Sequence, residues 1–574
     1  MELLSAVIDA INNVLRWPLV IGLLGTGLFL TIRLGFVQFR RLGHGFAVAT
    51  GRYDDPDEPG DVSHFQALTT ALSATVGVGN IAGVALAIHI GGPGALFWMW
   101  ITALLGMATK YSEVTLAQQY RDVHYDEDGK AWEGSVSGGP MYYIERGLGR
   151  NWKPVAMFFA FALMLTSFMT GNAVQANTVA TQVFDSFGVP VWITGLITAT
   201  IVGIVILGGI SRIGKVTSIV APVMASVYVA GALTILVLNI ADVPAAFGRI
   251  FSEAFNPTSG VAGTGAGVFL LTMLYGVQRG LFSNEAGQGS APIAHSAAKT
   301  DEPVSEGVVA LLEPFIDTIL ICTMTGLVLV TTGAFEATAP AEFDLGASNV
   351  SFVEGDRESG FTPYTDQDPL VYEEGMAQIF DDGSNPRVGR FAVGIDTLFV
   401  DPAQTVPFTG TIDPATRTAT DAAGQPVDVF YANTVRTSAP LTTLAFERGL
   451  AQIGLSNLGR WIVLLSVILF AVSTSISWSY YGDRCANYLF GTKAILPFKA
   501  VFVVMHFVGA VLAVTTIWDL GDVALSLVTL PNVLALLLLS PVLVKLTNSY
   551  FERKPWVENE EAHKKAVQEG RLKR

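Results

Sequence analysis

Apolar residues fill this chain in blocks of about 20, the length at which a helix crosses a bilayer, and short polar connections separate them. Residues 17–32, 191–207, 216–238 and 461–476 are clear cases. The pattern predicts eleven spanning helices, at 16–35, 65–89, 94–120, 154–185, 190–208, 213–239, 264–292, 304–333, 457–484, 496–517 and 520–546. Gly91-Gly92-Pro93-Gly94 reads as a tight connection, and 138–149, containing Met141-Tyr142-Tyr143-Ile144, as a helix lying along the membrane surface.

Two blocks break the pattern. Ser73-Ala74-Thr75-Val76-Gly77-Val78-Gly79-Asn80-Ile81-Ala82-Gly83 interrupts one, and the glycine-rich run 276–289 interrupts another. Every unpaired backbone group in hydrocarbon costs several kcal/mol, so irregular backbone survives at that depth only where it lines a cavity. Two interruptions at matching places in two halves point to the midplane site of a secondary carrier. The halves are 65–239 and 264–546, five helices each, and an odd number of spans turns the second unit upside down. The expected organisation is an N-terminal helix and loop (1–64), a first repeat (65–239), a second repeat (264–334 and 457–546), an insert (335–438) and a tail (547–574).

Composition agrees. The 574 residues are 51% apolar and 14% charged, with mean hydropathy +0.47, against about 25% charged in soluble domains. No cleavable signal peptide is expected, because the first residues carry acids and lack a basic start. Cys322 and Cys485 read as small apolar packing rather than a disulfide framework. With the N-terminus outside and the C-terminus cytoplasmic, the inner connections hold 23 of the 34 basic residues, the bias that sets orientation in a cell membrane.

The 335–438 segment differs in kind. It has 17 acidic residues, five arginines and no lysine, a net −12 of the chain's −15. Alternation in Phe391-Ala392-Val393-Gly394-Ile395 and Val427-Asp428-Val429-Phe430-Tyr431 predicts a small β-containing insert outside the membrane. Its field would gather cations, or its acidity simply suits an extramembrane decoration; either way it repels nucleic acid.

Glycines let the backbone of 73–83 leave the helix. Carbonyls from the preceding half-helix then suit a small hard cation, and N–H groups of the following one suit a carboxylate. In the second run, Gln278 and the backbone at Gly276 and Gly280 are expected to face the solute, while Arg279 and Glu285 brace the break. Asn172 and Gln175 share a helical face and would either bond solute or tie helices. Thr474 and Ser475 would complete a cation shell or bond their own helix. Glu313 and Asp317, around Pro314, would relay protons, bind a cation, or anchor Arg279 or Lys110. Lys110 and Glu113 are expected to pair locally.

These motifs, with Trp98-Met99-Trp100, Gly138-Gly139-Pro140, Arg279-Gly280-Leu281-Phe282-Ser283-Asn284-Glu285-Ala286-Gly287 and Trp478-Ser479-Tyr480-Tyr481-Gly482, make the chain resemble the alanine or glycine:cation symporters over almost its whole length. The resemblance implies an all-α polytopic membrane protein of leucine-transporter-like fold, with ten core helices in two inverted fives and one extra N-terminal helix. It also implies Na⁺-coupled import of alanine or glycine. Na⁺ would rest on the carbonyls of Ser73, Val76 and Ala471 and the hydroxyls of Thr474 and Ser475. Solute would rest on Thr75, Gly77, Gly79 and Asn80, with Gly276 and Gln278 opposite and Phe168, Gln175 and Trp478 as walls. No cofactor beyond the coupling ion is expected. The insert is not standard for the family. A proton-coupled permease with Glu313 or Asp317 as carrier is the close rival. A channel or receptor is a more distant one. The lack of HExxH, Walker A or GxSxG runs speaks against an enzyme.

Overall fold

A computed structural model describes residues 2–125, 131–257, 266–347, 350–356, 360–380, 383–390, 393–512, 514–569 and 571. Six of its helices are long and apolar enough to cross a membrane: Arg150–Phe184, Gly209–Leu238, Pro303–Thr331, Ser456–Phe490, Thr492–Val511 and Val523–Arg553. Two bent pairs also qualify, Trp17–Arg33 with Val37–Ala49 at 80° and His64–Thr75 with Gly79–Gly91 at 49°. Among the described residues, six to eight spans therefore stand on length and apolarity. The expectation of eleven exceeds this for local reasons. Lys110 and Glu113 interrupt the apolar run of Ala95–Gln119, and Val191–Ile206 is only 16 residues long. The predicted span 264–292 begins at residues outside the described set.

Large apolar side chains such as Ile204, Ile219 and Val504 are 60% or more exposed on the outer surface, a belt suited to lipid rather than water. Inside, Gly209–Leu238 packs on His64–Thr75 and on Ser456–Phe490, and Ala95–Gln119 packs on Ala266–Asn284. A capping box opens the first broken span: Gln66 N–H donates to Ser63 Oγ at 3.3 Å, and Ser63 N–H to Gln66 Oε1 at 3.1 Å. Within 138–149 a short helix, Pro140–Gly147, forms, with Pro140, Met141, Tyr142, Tyr143 and Ile144 buried against the rest of the protein.

The second interruption lies later than expected. Gly276, Gln278 and Gly280 sit within the continuous helix Ala266–Asn284. A Cβ on Gly276 would lie 2.4 Å from the Ala95 carbonyl, and one on Gly280 3.1 Å from Thr102. These glycines serve close helix crossing, a small-xxx-small face, not helix exit. The backbone leaves the helix at Glu285, with positive φ at Glu285 (53°), Gly287 (88°) and Gly289 (75°), and resumes as Ala291–His295.

The insert is a separate β unit. Its entering strand Thr338–Phe343 pairs antiparallel with its leaving strand Phe430–Val435, Phe343 opposite Phe430. Beyond this neck lie two four-stranded sheets around a core that includes Phe352, Tyr372, Val388, Leu398, Phe408 and Ile412. Phe391 and Ala392, in one stretch that predicted strand, lie outside the described residues; Val393–Gly394 is a strand there.

The C-terminal helix Trp556–Gln568 docks on the 50–63 loop, where Asn559 Nδ2 donates to Glu58 Oε1 at 3.2 Å and Arg571 pairs with Asp57 at 2.8 Å. Burial lifts the Glu58 carboxyl from 4.5 to about 7, against the pull of the Asp301 backbone and Asn559 hydrogen bonds. Between those values the folded chain holds a proton that the unfolded chain releases, so stability falls as pH rises through the window and the penalty is complete above it. Glu58→Gln should therefore raise the melting temperature of detergent-purified protein at about pH 8 and leave it unchanged at about pH 4.5. An equal shift at both values would refute this.

Candidate functional site

The first break is held open by side chains from other helices. Val76 N–H still reaches the Leu72 carbonyl at 2.7 Å, but Gly77 N–H turns to Asn80 Oδ1 at 2.9 Å. Four carbonyls of this segment meet hydroxyls from other helices. Thr474 Oγ1 lies 3.0 Å from the Ser73 carbonyl and 3.3 Å from that of Ala74. Thr325 donates to the Asn80 carbonyl, and Thr442 to that of Ile81, both at 2.9 Å. Helix resumes through a π turn, Gly79–Gly83, in which Val84 N–H bonds the Gly79 carbonyl. Gly77 is needed for the approach of Thr474, whose hydroxyl a Cβ would meet at 2.8 Å.

Asn80 joins the two breaks. Its Nδ2 lies 3.1 Å from Ser283 Oγ, at the end of the Ala266–Asn284 helix, and 2.6 Å from Asp317 Oδ1. Asp317 Oδ2 accepts from Ser283 and Thr318, each at 2.7 Å. In the second break, Glu285 takes the Trp478 indole N–H at 3.1 Å and the Ser290 hydroxyl, while Gly289 N–H goes to Glu113 Oε1 at 3.0 Å. The irregular backbone of both segments is thus satisfied partly from within and partly by side chains of other helices, as burial demands.

Between the breaks lies a cavity of about 20 Å³, room for about one water. Thr75, Gly77, Gly79, Gln175, Thr474 and Trp478 line it, as do Ala74, Val78, Thr170, Phe282, Glu285, Gln288 and Leu525. Three lining atoms, Thr170 Oγ1, Gln175 Oε1 and Gln288 Oε1, are buried without a hydrogen-bond partner, which a polar solute would supply. Ser475 Oγ and Ser73 Oγ, next to the lining residues Thr474 and Ala74, are likewise unpartnered.

Not every expected residue reaches the cavity. Asn80 has its side chain spent on Gly77, Ser283 and Asp317. Phe168 packs on Phe498 and Phe502, with ring centroids 4.9 and 6.0 Å away. Gly276 faces Ala95, and Gln278 sits one turn before Phe282 on the same helical face. Val76 and Ala471 are buried outside the lining. Asn172 ties helices, donating to the Phe502 carbonyl at 2.8 Å and meeting His506 Nδ1 at 2.6 Å. It lies within a π turn, Met169–Ala173, whereas Gln175 lines the cavity from the following helix, Val174–Phe187. Lys110 pairs not with Glu113 but with Glu313, at 3.3 Å, while Glu113 Oε1 takes the Gly289 N–H and Asn532 Nδ2. Arg279 does not meet Glu285; its guanidinium stands 5.8 Å from the Phe282 ring. Of the lining residues not singled out from sequence, Gln288 lies inside the glycine-rich run 276–289 and Thr170 close before Asn172 and Gln175, whereas Leu525 sits in an ordinary apolar span and carries no signal.

The model of the Sodium:alanine symporter family matches residues 1–356 and 408–565, leaving 357–407 within the insert unmatched. The "Sodium/alanine symporter AgcS" of Methanococcus maripaludis is 38% identical over 550 residues, 95% of this chain and 97% of that one. An uncharacterized transporter of Haemophilus influenzae is 35% identical over 96% of this chain and 97% of its own. The "Putative sodium/proton-dependent alanine carrier protein YrbD" of Bacillus subtilis is 38% identical over 57% of this chain and 64% of its own. A polytopic membrane protein with two adjoining helix breaks, matched over most of its length, this chain belongs to the sodium:alanine symporter family, whose members are carriers and not enzymes.

Proposed function

We propose that this protein imports small neutral amino acids, alanine and glycine, by Na⁺-coupled symport in the cell membrane, through alternating access. The observation that carries the reading is Thr474 seated on the Ser73 and Ala74 carbonyls beside a cavity with three unpartnered polar atoms. Oxygen ligands suit a small hard cation. The carbonyls of Ser73, Val76 and Ala471 with the hydroxyls of Thr474 and Ser475 are the proposed Na⁺ ligands, and Na⁺ would give the buried Ser475 Oγ its missing partner. Thr75, Gly77, Gly79, Gln175 and Trp478, with Thr170 and Gln288, are the proposed solute contacts; Gln278 flanks the approach, and Asn80 holds the break in shape. Trp478, Phe282 and Leu525 leave little room, which favours small side chains.

Eleven spans, a leucine-transporter-like pair of inverted fives after one extra helix, an outer N-terminus and an outer insert complete the proposal. Na⁺ drawn between the first break and the Ser456–Phe490 helix would shape the neighbouring carboxylate site, so that both ligands together favour closure. The test is uptake of labelled alanine and glycine into proteoliposomes under Na⁺, K⁺ or proton gradients imposed singly. Accumulation driven by Na⁺ alone is expected. Accumulation driven equally by a pH gradient without Na⁺ would favour a proton-coupled permease, and flux that never saturates would favour a channel.

A further inference from the structure

Away from the cavity, five ionisable side chains form an unbroken chain inside the protein. His64 Nδ1 meets Glu306 Oε2, and Glu306 Oε1 meets His295 Nδ1. His295 Nε2 lies 2.7 Å from Glu313 Oε1, and Glu313 Oε2 lies 3.3 Å from Lys110 Nζ. All five are at most 2% exposed. A neutral imidazole has one N–H and one lone pair. Both nitrogens of His295 face carboxylate oxygens, so a neutral ring between two carboxylates would set lone pair against lone pair. The arrangement needs one more proton, on His295 or on a flanking carboxyl. With both histidines neutral the five side chains carry one Lys against two Glu, net −1; the extra proton makes them neutral. That is the state a dry site favours.

The chain also joins elements that must part if a carrier opens. His64 begins the half-helix before the first break, and His295 ends the half-helix after the second. Glu306 lies in Pro303–Ala310, Glu313 in Leu312–Pro314 and Lys110 in Ala95–Gln119. Backbone bonds run alongside, from Asp61 N–H to the Ala297 carbonyl and from Lys299 N–H to the Val62 carbonyl, both at 2.8 Å.

The charged surroundings are asymmetric. Beyond His64 stand Asp54 and Glu58 of the 50–63 loop, and Lys299 and His563 face Asp54. Beyond Lys110 stand Glu285, which lines the cavity, and Glu113; Asp317 also feels Lys110, and Tyr481 faces Glu285 and Glu313. From the Val37–Ala49 helix, which packs on Pro303–Ala310, His44 turns to the Tyr550 hydroxyl at 2.9 Å. The chain therefore spans the distance from an acidic loop to the edge of the cavity.

We propose that His64, Glu306, His295, Glu313 and Lys110 form a proton-binding site, whose proton locks together the half-helices that flank the two breaks on the side of the 50–63 loop. Loss of the proton leaves an unpaired negative charge and opposed lone pairs, and the lock opens on that side. The inference rests on the proposed function only for naming that side the cytoplasmic one.

Hydrogen exchange on detergent-purified protein, with no solute added, tests it. After correction for intrinsic exchange, protection of 64–75 and 291–295 should fall about tenfold or more between about pH 6 and pH 9, as local opening becomes easier. In His295→Gln, which cannot carry the second proton, the change over that range should be less than about twofold. Glu306→Gln, which offers His64 and His295 an amide in place of a carboxylate, should flatten the response similarly. Wild-type protection that does not change with pH, or either variant keeping the full wild-type response, would overturn the proposal. If His295→Gln does not yield folded protein, Glu306→Gln decides alone. Because no solute is present, a failed alanine-uptake assay would leave this result standing, and a flat exchange profile would leave the uptake result standing.

Discussion

Replacing Thr474 and Ser475 together by alanine should raise the Na⁺ concentration needed for half-maximal alanine uptake by about hundredfold, while the protein still folds. In the proposed site each hydroxyl would contribute an oxygen to a charged partner, and a hydrogen bond or ligand contact of that kind is worth about 1.5–3 kcal/mol. Two such losses, only partly additive, come to about 3 kcal/mol, or about a hundredfold in affinity. The folding cost is smaller. Thr474 also caps the Ser73 and Ala74 carbonyls, and losing a neutral hydrogen bond costs about 1 kcal/mol. Ser475 Oγ has no protein partner to lose. A control separates ion binding from mere stapling of the break: Thr442, which donates to the Ile81 carbonyl at 2.9 Å, performs the same capping away from the proposed ligands. Thr442→Ala should lower stability by a similar amount and leave the Na⁺ response in place. A double variant with normal Na⁺ half-saturation would remove Thr474 and Ser475 from the ion site, and an equal shift in Thr442→Ala would mean that the break, not the ion, was being measured.

How far the site could be read from sequence depends on whether the cause was local. The first break was legible because Gly77, Gly79 and Asn80 interrupt an apolar block, although the two glycines make room for Thr474 and Phe282 and neither adopts a positive φ. The insert was legible because its acidity and alternation are local too. The second break was misplaced because Gly276 and Gly280 look like helix exits yet exist for the Ala95–Gln119 helix that crosses them, and a crossing partner cannot be seen in a single segment. The true exit is at Glu285, a non-glycine residue with positive φ, which no propensity announces. Lys110 shows the same limit. Glu113, one turn away, is its obvious partner, but that carboxylate turns one oxygen to Gly289 N–H and Asn532, and Glu313, some two hundred residues on, takes the lysine. The resemblance to the symporters placed Asn80 against solute; its bonds go instead to Gly77, Ser283 and Asp317, which keep the break open. The cavity wall at Leu525 depended wholly on tertiary packing.

That role for Asn80 carries the second large prediction: Asn80→Asp should silence transport, and adding Asp317→Asn should recover a substantial part of it. The substitution is isosteric, so packing is unchanged and only hydrogen-bond polarity and charge differ. Asn80 Oδ1 accepts the Gly77 N–H at 2.9 Å, and an aspartate still can. Its Nδ2, however, lies 2.6 Å from Asp317 Oδ1, and an acid there sets two buried carboxylate oxygens against each other. At an effective dielectric of about 20 that repulsion is about 4 kcal/mol or more, comparable with a large part of a protein's net stability. It would be relieved by pulling the two breaks apart. With asparagine at 317, an amide can donate to the carboxylate introduced at position 80, while the Ser283 and Thr318 hydroxyls, now 2.7 Å from Asp317 Oδ2, keep an acceptor. The network then closes again, apart from the Asp317 backbone carbonyl, 3.1 Å from Asn80 Nδ2, with its charge moved by one side chain. Uptake and thermal stability measured on the two single variants and the double should give a coupling of about 3 kcal/mol, within the range seen for contacting residues in one network. A double variant no better than Asn80→Asp alone would mean that the charge must stay at 317 for a reason other than holding Asn80, and the peg between the breaks would no longer explain why that carboxylate is buried there.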